Sequence, residues 1–205
     1  MLRLEDIFLG LMKRYCADIS YNAQCWMEIE NKYTQPWRFY HTLAHLETIL
    51  KEFELVQPAV QEVDVLLFAI FYHDIVYNPL HSNNEQKSAR LFRKRIAPTH
   101  FSHIAKVITL IKASKTHRMT TDFDTNLFLD LDLLILGSKR KAYMHYCENI
   151  RKEYRMFPDF IFRQRRKKLL LRYLSLESIY KTPYFIERYE AQARKNLRYS
   201  IRELS

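Results

Sequence analysis

The sequence predicts an all-α fold, and three observations predict it. Glycine occurs only twice in 205 residues, whereas sandwiches and barrels need many glycines at their turns. Apolar residues recur at i, i+3, i+4 and i+7 along most of the chain. Most of the six prolines, at 36, 58, 79, 98, 158 and 183, fall between such segments, where helix breakers are tolerated.

The elements follow in order. Leu46, Ile49, Leu50 and Phe53 form one stripe between Pro36 and Pro58. Residues 64–74 are nearly all apolar, as in a buried helix. From Glu85 to Ile96, the residues Ala89, Phe92 and Ile96 share a face while Arg90, Arg93 and Lys94 lie largely elsewhere. Ile104, Val107, Ile108 and Ile111 repeat the stripe. Residues 126–136, NLFLDLDLLIL, read as buried all round. Tyr143, Tyr146, Cys147, Ile150 and Tyr154 mark a further helix. Two more are expected within 163–180 and 184–204, the last opened by Thr182 as cap and Pro183 at the first helical position. No repeat, low-complexity tract or long linker interrupts the pattern. The expectation is a single all-α domain over 1–205, of roughly seven to nine helices.

Composition narrows the function classes. Hydrophobic residues are 48% of the chain, enough for a packed core. No segment reaches the roughly 18 to 20 apolar residues of a membrane span, and MLRLEDIFLG has acids where a secretory signal has none. No membrane partner is therefore expected. Cys16, Cys25 and Cys147 are odd in number and scattered, which fits free thiols and a cytoplasmic location. The net charge of +10 points to phosphorylated small molecules or nucleic acid, or to a plain solvated basic surface. Residues 139–172 hold 12 Lys and Arg against Glu148, Glu153 and Asp159. Stacking aromatics do not interleave regularly with these cations, so nucleic acid is a possible partner but not the favoured one.

Three apolar segments carry polar residues. RFYHTLAHL holds His41 and His45, four apart and on one face if both are helical. LLFAIFYHDIVYNPL holds His73 and Asp74. LFLDLDLLIL holds Asp130 and Asp132, which cannot both face solvent on one helix, so at least one points inward. Each alone has a plain structural explanation: a satisfied core histidine, or an acid that caps a helix or pairs with an arginine. Together, imidazole nitrogens and carboxylates form a donor set that suits a divalent cation of intermediate hardness. Such a cation would also relieve the burial of the acids.

At these residues the sequence resembles the HD-domain metal-dependent phosphohydrolases, whose signature is a His, an adjacent His-Asp pair and a distant Asp in a helical chain. The resemblance extends to a subgroup of uncharacterised bacterial HD-domain proteins of about this length, through RFYHTLAHL, FYHDIVYNP, NNEQKSA, DLDLLILG, IRKEY and ARKNL, from about Tyr33 to Leu197. It implies that His73 and Asp74 are paired ligands and that Asp132 is the last, with Asp130 orienting a ligand from behind. YHTLAH is similar to the YHNxxH stretch of cyclic-nucleotide phosphodiesterases. That analogy makes His45 the first ligand and His41 the general acid, although in shorter HD proteins one His serves and His41 could be it. His41 and Asp74 are then the catalytic residues. The family's frequent Asp before the Asn-Glu of the third block is replaced here by Asn83. His81 and His117 are the later histidines weighed for a second ion, and they leave open whether one or two ions bind.

The implied activity is hydrolysis of a phosphomonoester or phosphodiester in a nucleotide or other small phosphorylated substrate. The cofactor is a divalent ion (Mn, Fe, Zn, Ni, Co or Mg). Arg38, Lys115, His117 and Glu85 are candidate substrate or supporting residues. Ser82 and Glu85 also fit a helix capping box. Two other functions fit the sequence: a non-catalytic module binding nucleic acid or a nucleotide, and a di-iron oxygenase, which the sparse later histidines disfavour.

Overall fold

A computed structural model describes residues 4–204. Among them helices alternate with short loops, and no strand occurs. The described residues divide into two compact units, one within Met1–Arg118 and one within Met119–Ser205.

The first unit is built on α1 (Leu4–Lys13), α2 (Ile19–Tyr33), α3 (Leu43–Val56), α4 (Val63–Tyr72), α5 (Asn84–Ile96) and α6 (Ile104–Ala113). Helix α4 is its axis. Every residue from Val65 to Tyr72 is buried, and α1, α3, α5 and α6 pack around it. A helix apolar on all sides can only sit at such a centre. Phe8, Trp26, Phe68, Phe71, Tyr72, Phe92 and Phe101 fill the space between helices, several of them edge to face. Burying each contributes about 1.5–3 kcal/mol over leaving it exposed. The only acid on α4, Asp64, lies in its first turn and accepts from Arg14 Nε at 3.0 Å and the Tyr15 hydroxyl at 2.6 Å.

The second unit contains α7 (Phe123–Asp132), a 3₁₀ turn (Leu134–Gly137), α8 (Arg140–Glu153) and α9 (Asp159–Leu174). After these come a short α10 (Pro183–Phe185), a π-helical segment (Ile186–Glu190) and α11 (Ala191–Glu203). Asp122 caps α7, accepting from the Thr125 amide at 2.8 Å. Gly137 is needed for space: a Cβ there would lie 2.6 Å from the Tyr189 Cβ.

Ten helices among the described residues are ten residues or longer, above the seven to nine expected. The excess comes from α1 and α2, which the stripe reading did not include. Two further differences have physical causes. The helix expected in 163–180 ends at Leu174, because the amides of Ile179 and Tyr180 donate to the Glu190 carboxylate and those of Lys181 and Thr182 to Asp130. Amides held by side chains in this way are lost to a helical ladder. Thr182 does precede Pro183 as cap, but its hydroxyl donates to Asp130 rather than capping.

Two blocks of the subgroup pattern act as staples in this unit. Arg194 of ARKNL pairs with Glu190 at 2.7 Å and donates to the carbonyls of Leu174, Leu176 and Glu177. Asn196 donates to those of Leu136 and Ser138. Arg151 of IRKEY pairs with Asp159 and donates to Tyr154 and Phe157. These residues hold loops.

Candidate metal centre

Helix α4 runs out of hydrogen-bonded turns at Tyr72, so His73 is its C-cap and Asp74 stands just beyond. The apolar helix thus delivers two polar residues at its end. The His73 ring is 1% exposed and Asp74 17%. His73 Nδ1 lies 2.9 Å from the Ile70 carbonyl. A carbonyl only accepts, so Nδ1 carries a proton and donates. In a neutral ring Nε2 then holds the lone pair. That Nε2 faces Asp74 Oδ2 at 3.2 Å. Two acceptors so placed repel unless a proton or a cation lies with them.

His41 and His45 approach from the start of α3. They do not share a helical face: Thr42 is the N-cap, so His41 lies in the loop before the helix and His45 in its first turn. The loop still brings them together, with ring centroids 6.0 Å apart. His45 is buried and its ring lies 5.5 Å from that of His73. His41 Nε2 is 3.8 Å from Asp74 Oδ2. His45, His73 and Asp74 each offer a ligand atom, and these atoms lie within 4.8 Å of one another. This group can hold a metal ion, and its nitrogen and carboxylate donors suit a divalent one.

Arg38 locks this geometry. It is 5% exposed. One guanidinium nitrogen, Nη1, donates to the His41 carbonyl at 3.0 Å and to the Asp74 carbonyl at 2.7 Å. The other, Nη2, donates to Ile75 at 2.9 Å. The fork therefore ties the His41 loop to the end of α4, and its charge sits over the rings of Tyr33 and Tyr77. Three main-chain carbonyls take donors of Arg38, which places it as a supporting residue of the loop and helix end.

The remaining expected residues are scattered around this arrangement. Lys115 is exposed and donates to the Ser82 carbonyl. His81 is exposed, and His117 takes a left-handed φ of 50°. The capping box does not form: α5 begins at Asn84 with Asn83 as its cap, so Glu85 is one position too early. One Glu85 oxygen, Oε2, is buried without a hydrogen bond.

In the second unit, Asp132 closes α7 and is half-buried. Asp130 is fully buried. Its carboxylate accepts from the amides of Lys181 and Thr182 at 2.9 and 2.7 Å and from the Thr182 hydroxyl at 2.8 Å. The Lys181 ammonium is 3.5 Å away. Burial pushes the Asp130 carboxyl above its ordinary value, against the pull of Lys181. Burial likewise pushes the Lys181 ammonium down.

The stripe reading missed three residues near these sites. Tyr77 stacks on His41 at 4.1 Å between centroids, Tyr40 lies 4.9 Å from His45, and Lys181 partners Asp130. Tyr40 and Tyr77 lie inside the RFYHTLAHL and FYHDIVYNP blocks, which was the available signal. Nothing local to Lys181 marks it.

No family model matches this chain, and no curated protein or solved structure matches it either.

Proposed function

We propose that this chain is a divalent-metal-dependent phosphohydrolase of the HD type, acting on a nucleotide or another small phosphorylated molecule. One observation carries the reading: His73 Nε2 lies 3.2 Å from the Asp74 carboxylate with buried His45 beside them, and each of the three offers a ligand atom within 4.8 Å of the others. A divalent cation suits those donors. His45, His73 and Asp74 hold the ion in this reading, and the resemblance names Asp132 as the last ligand.

When bound, a divalent ion supplies Lewis acidity toward a phosphoryl oxygen and lowers the pKa of its water. The chain's own residues do the rest. His73 donates Nδ1–H to Ile70, which fixes the tautomer and keeps Nε2 free to ligate. His41 delivers a proton to the leaving oxygen. Its Nε2 is 3.8 Å from Asp74, close enough to be steered toward the ligand group without being one of it. Tyr77 holds the His41 ring in plane by stacking. Arg38 keeps loop and helix end in register.

Elemental analysis of purified wild type and Asp74→Ala, prepared side by side, tests the site. Metal in wild type that is lost from a folded variant supports it, and its identity selects the ion for an assay on phosphomonoesters, nucleotides and cyclic nucleotides. Equal content in both, or none after reconstitution with Mn²⁺, Fe²⁺, Zn²⁺, Ni²⁺, Co²⁺ and Mg²⁺ in turn, overturns it. Metal without hydrolysis of any substrate leaves a metal centre and removes the phosphohydrolase.

A further inference from the structure

We infer that the outer face of α9 is a docking surface for an anionic lipid bilayer. Helix α9 carries six Lys and Arg against one acid, Asp159. Its buried residues, Phe162, Leu170 and Tyr173, set which side faces the core. At about 100° per residue, Phe160 and Leu171 fall together on the opposite side. Phe160 is 70% exposed and Leu171 48%. Eleven residues apart, they are the apolar points of a ridge about 16 Å long that also carries exposed Gln164. Lys167 flanks the ridge on one side and Lys168 on the other, with Arg165 and Arg172 further round; Lys168, Arg165 and Arg172 are exposed. Met156, in the turn before the helix, is 68% exposed.

Charge complementarity selects the class of partner, and the ridge selects within it. Cations on both flanks call for a polyanion. A nucleic acid rewards planar groups that stack on bases, and of the three exposed apolar residues only Phe160 is planar, Leu171 and Met156 being flexible and non-aromatic. A bilayer of anionic lipids rewards both features, because apolar side chains enter the headgroup layer while Lys and Arg meet the phosphates. The expectation of no membrane partner rested on span length. No described helix is long and apolar enough to cross a membrane, and that test is silent about a helix lying on one. The inference stands apart from the metal chemistry.

Co-sedimentation of the full chain with vesicles tests it. Phosphatidylglycerol–phosphatidylcholine vesicles should carry the protein down at 50 mM salt, and pure phosphatidylcholine vesicles should not. Raising the salt to 500 mM should weaken partitioning by about tenfold or more. Phe160→Ser with Leu171→Ser, and separately Lys167→Glu with Lys168→Glu, should each abolish it; all four positions lie away from the buried side of α9, and a circular-dichroism melt confirms folding. No binding to the anionic vesicles at low salt overturns the inference. So does binding that survives the Phe160 and Leu171 changes, since charge alone would then suffice, as for a nucleic acid or an acidic protein.

Discussion

The ends of α4 and α7 pose one physical problem and receive different solutions. Both helices are buried nearly all round, and each has an acid in or just beyond its last turn. At the end of α7, Asp130 is fully buried and is met by two amides, a hydroxyl and an ammonium. That carboxylate is satisfied by protein, and the result is a fastened 178–182 loop. At the end of α4, Asp74 is met by two imidazoles. Arg38, nearby, donates to the carbonyls of His41, Asp74 and Ile75. A buried acid surrounded by donors is a structural device. An acid set among imidazole nitrogens belongs to a donor group that can hold a cation.

The comparison breaks if the two acids behave alike. Asp130→Ala leaves the Lys181 ammonium buried without its counter-charge and strands three donors. It should lower stability by about 3–5 kcal/mol, read by urea unfolding. Asp74→Ala should change stability by less than about 1 kcal/mol without metal, because Ala removes a desolvated charge along with its contacts to the imidazoles. If Asp74→Ala is the costlier of the two, the assignment of roles is inverted.

Metal should then separate them. Mn²⁺ at about 100 times its Kd should add about 2.7 kcal/mol to the wild type. The same addition should leave Asp74→Ala unmoved, as thermal melts will show. Arg38→Met should cost about 1–3 kcal/mol through stranded carbonyls. By loosening the support of the ligands, it should also weaken Mn²⁺ binding by about tenfold or more, which calorimetry can measure.

The smallest effect concerns an ordinary ion pair. Glu28 lies 2.6 and 2.9 Å from Arg95, and the hydrogen bond from that guanidinium holds its carboxyl below the usual range. The folded pKa lies below the unfolded one, so the unfolded chain binds more protons in acid. The pair's contribution is present above the unfolded value, about 4.5, and is lost as pH falls through the folded value. Glu28→Gln should therefore flatten the decline of the urea midpoint between pH 6 and 3. An unchanged decline would show that Glu28 is not among the groups driving it.

Much of this was legible in the chain itself. The stripes of α3, α5 and α6 and the unbroken apolar run of α4 announced helices, because a period of 3.6 and the burial it produces are local properties. The out-of-place polar residues His45, His73, Asp74 and Asp130 could be picked out as well, since burial makes each conspicuous. Their roles were less legible. Asp130 and Asp74 look alike in sequence, and only the partners distinguish them. Lys181 lies 51 residues from Asp130, and no local pattern encodes that meeting. Arg38 reads only as a substrate or supporting residue, and it is the carbonyls of Asp74 and Ile75, some 36 residues away, that show it bracing the helix end. His41 and His45 read as one helical face until the N-cap at Thr42 separates them.

The sequence by itself determined the helical class, the buried run of α4 and the donor types offered at its end, because those follow from composition and period. Only the tertiary structure decided which acid meets amides, a hydroxyl and an ammonium and which sits beside imidazoles. That choice depends on donors brought from distant parts of the chain, and a hydrogen bond is specified by where its two ends meet and not by how far apart they are written.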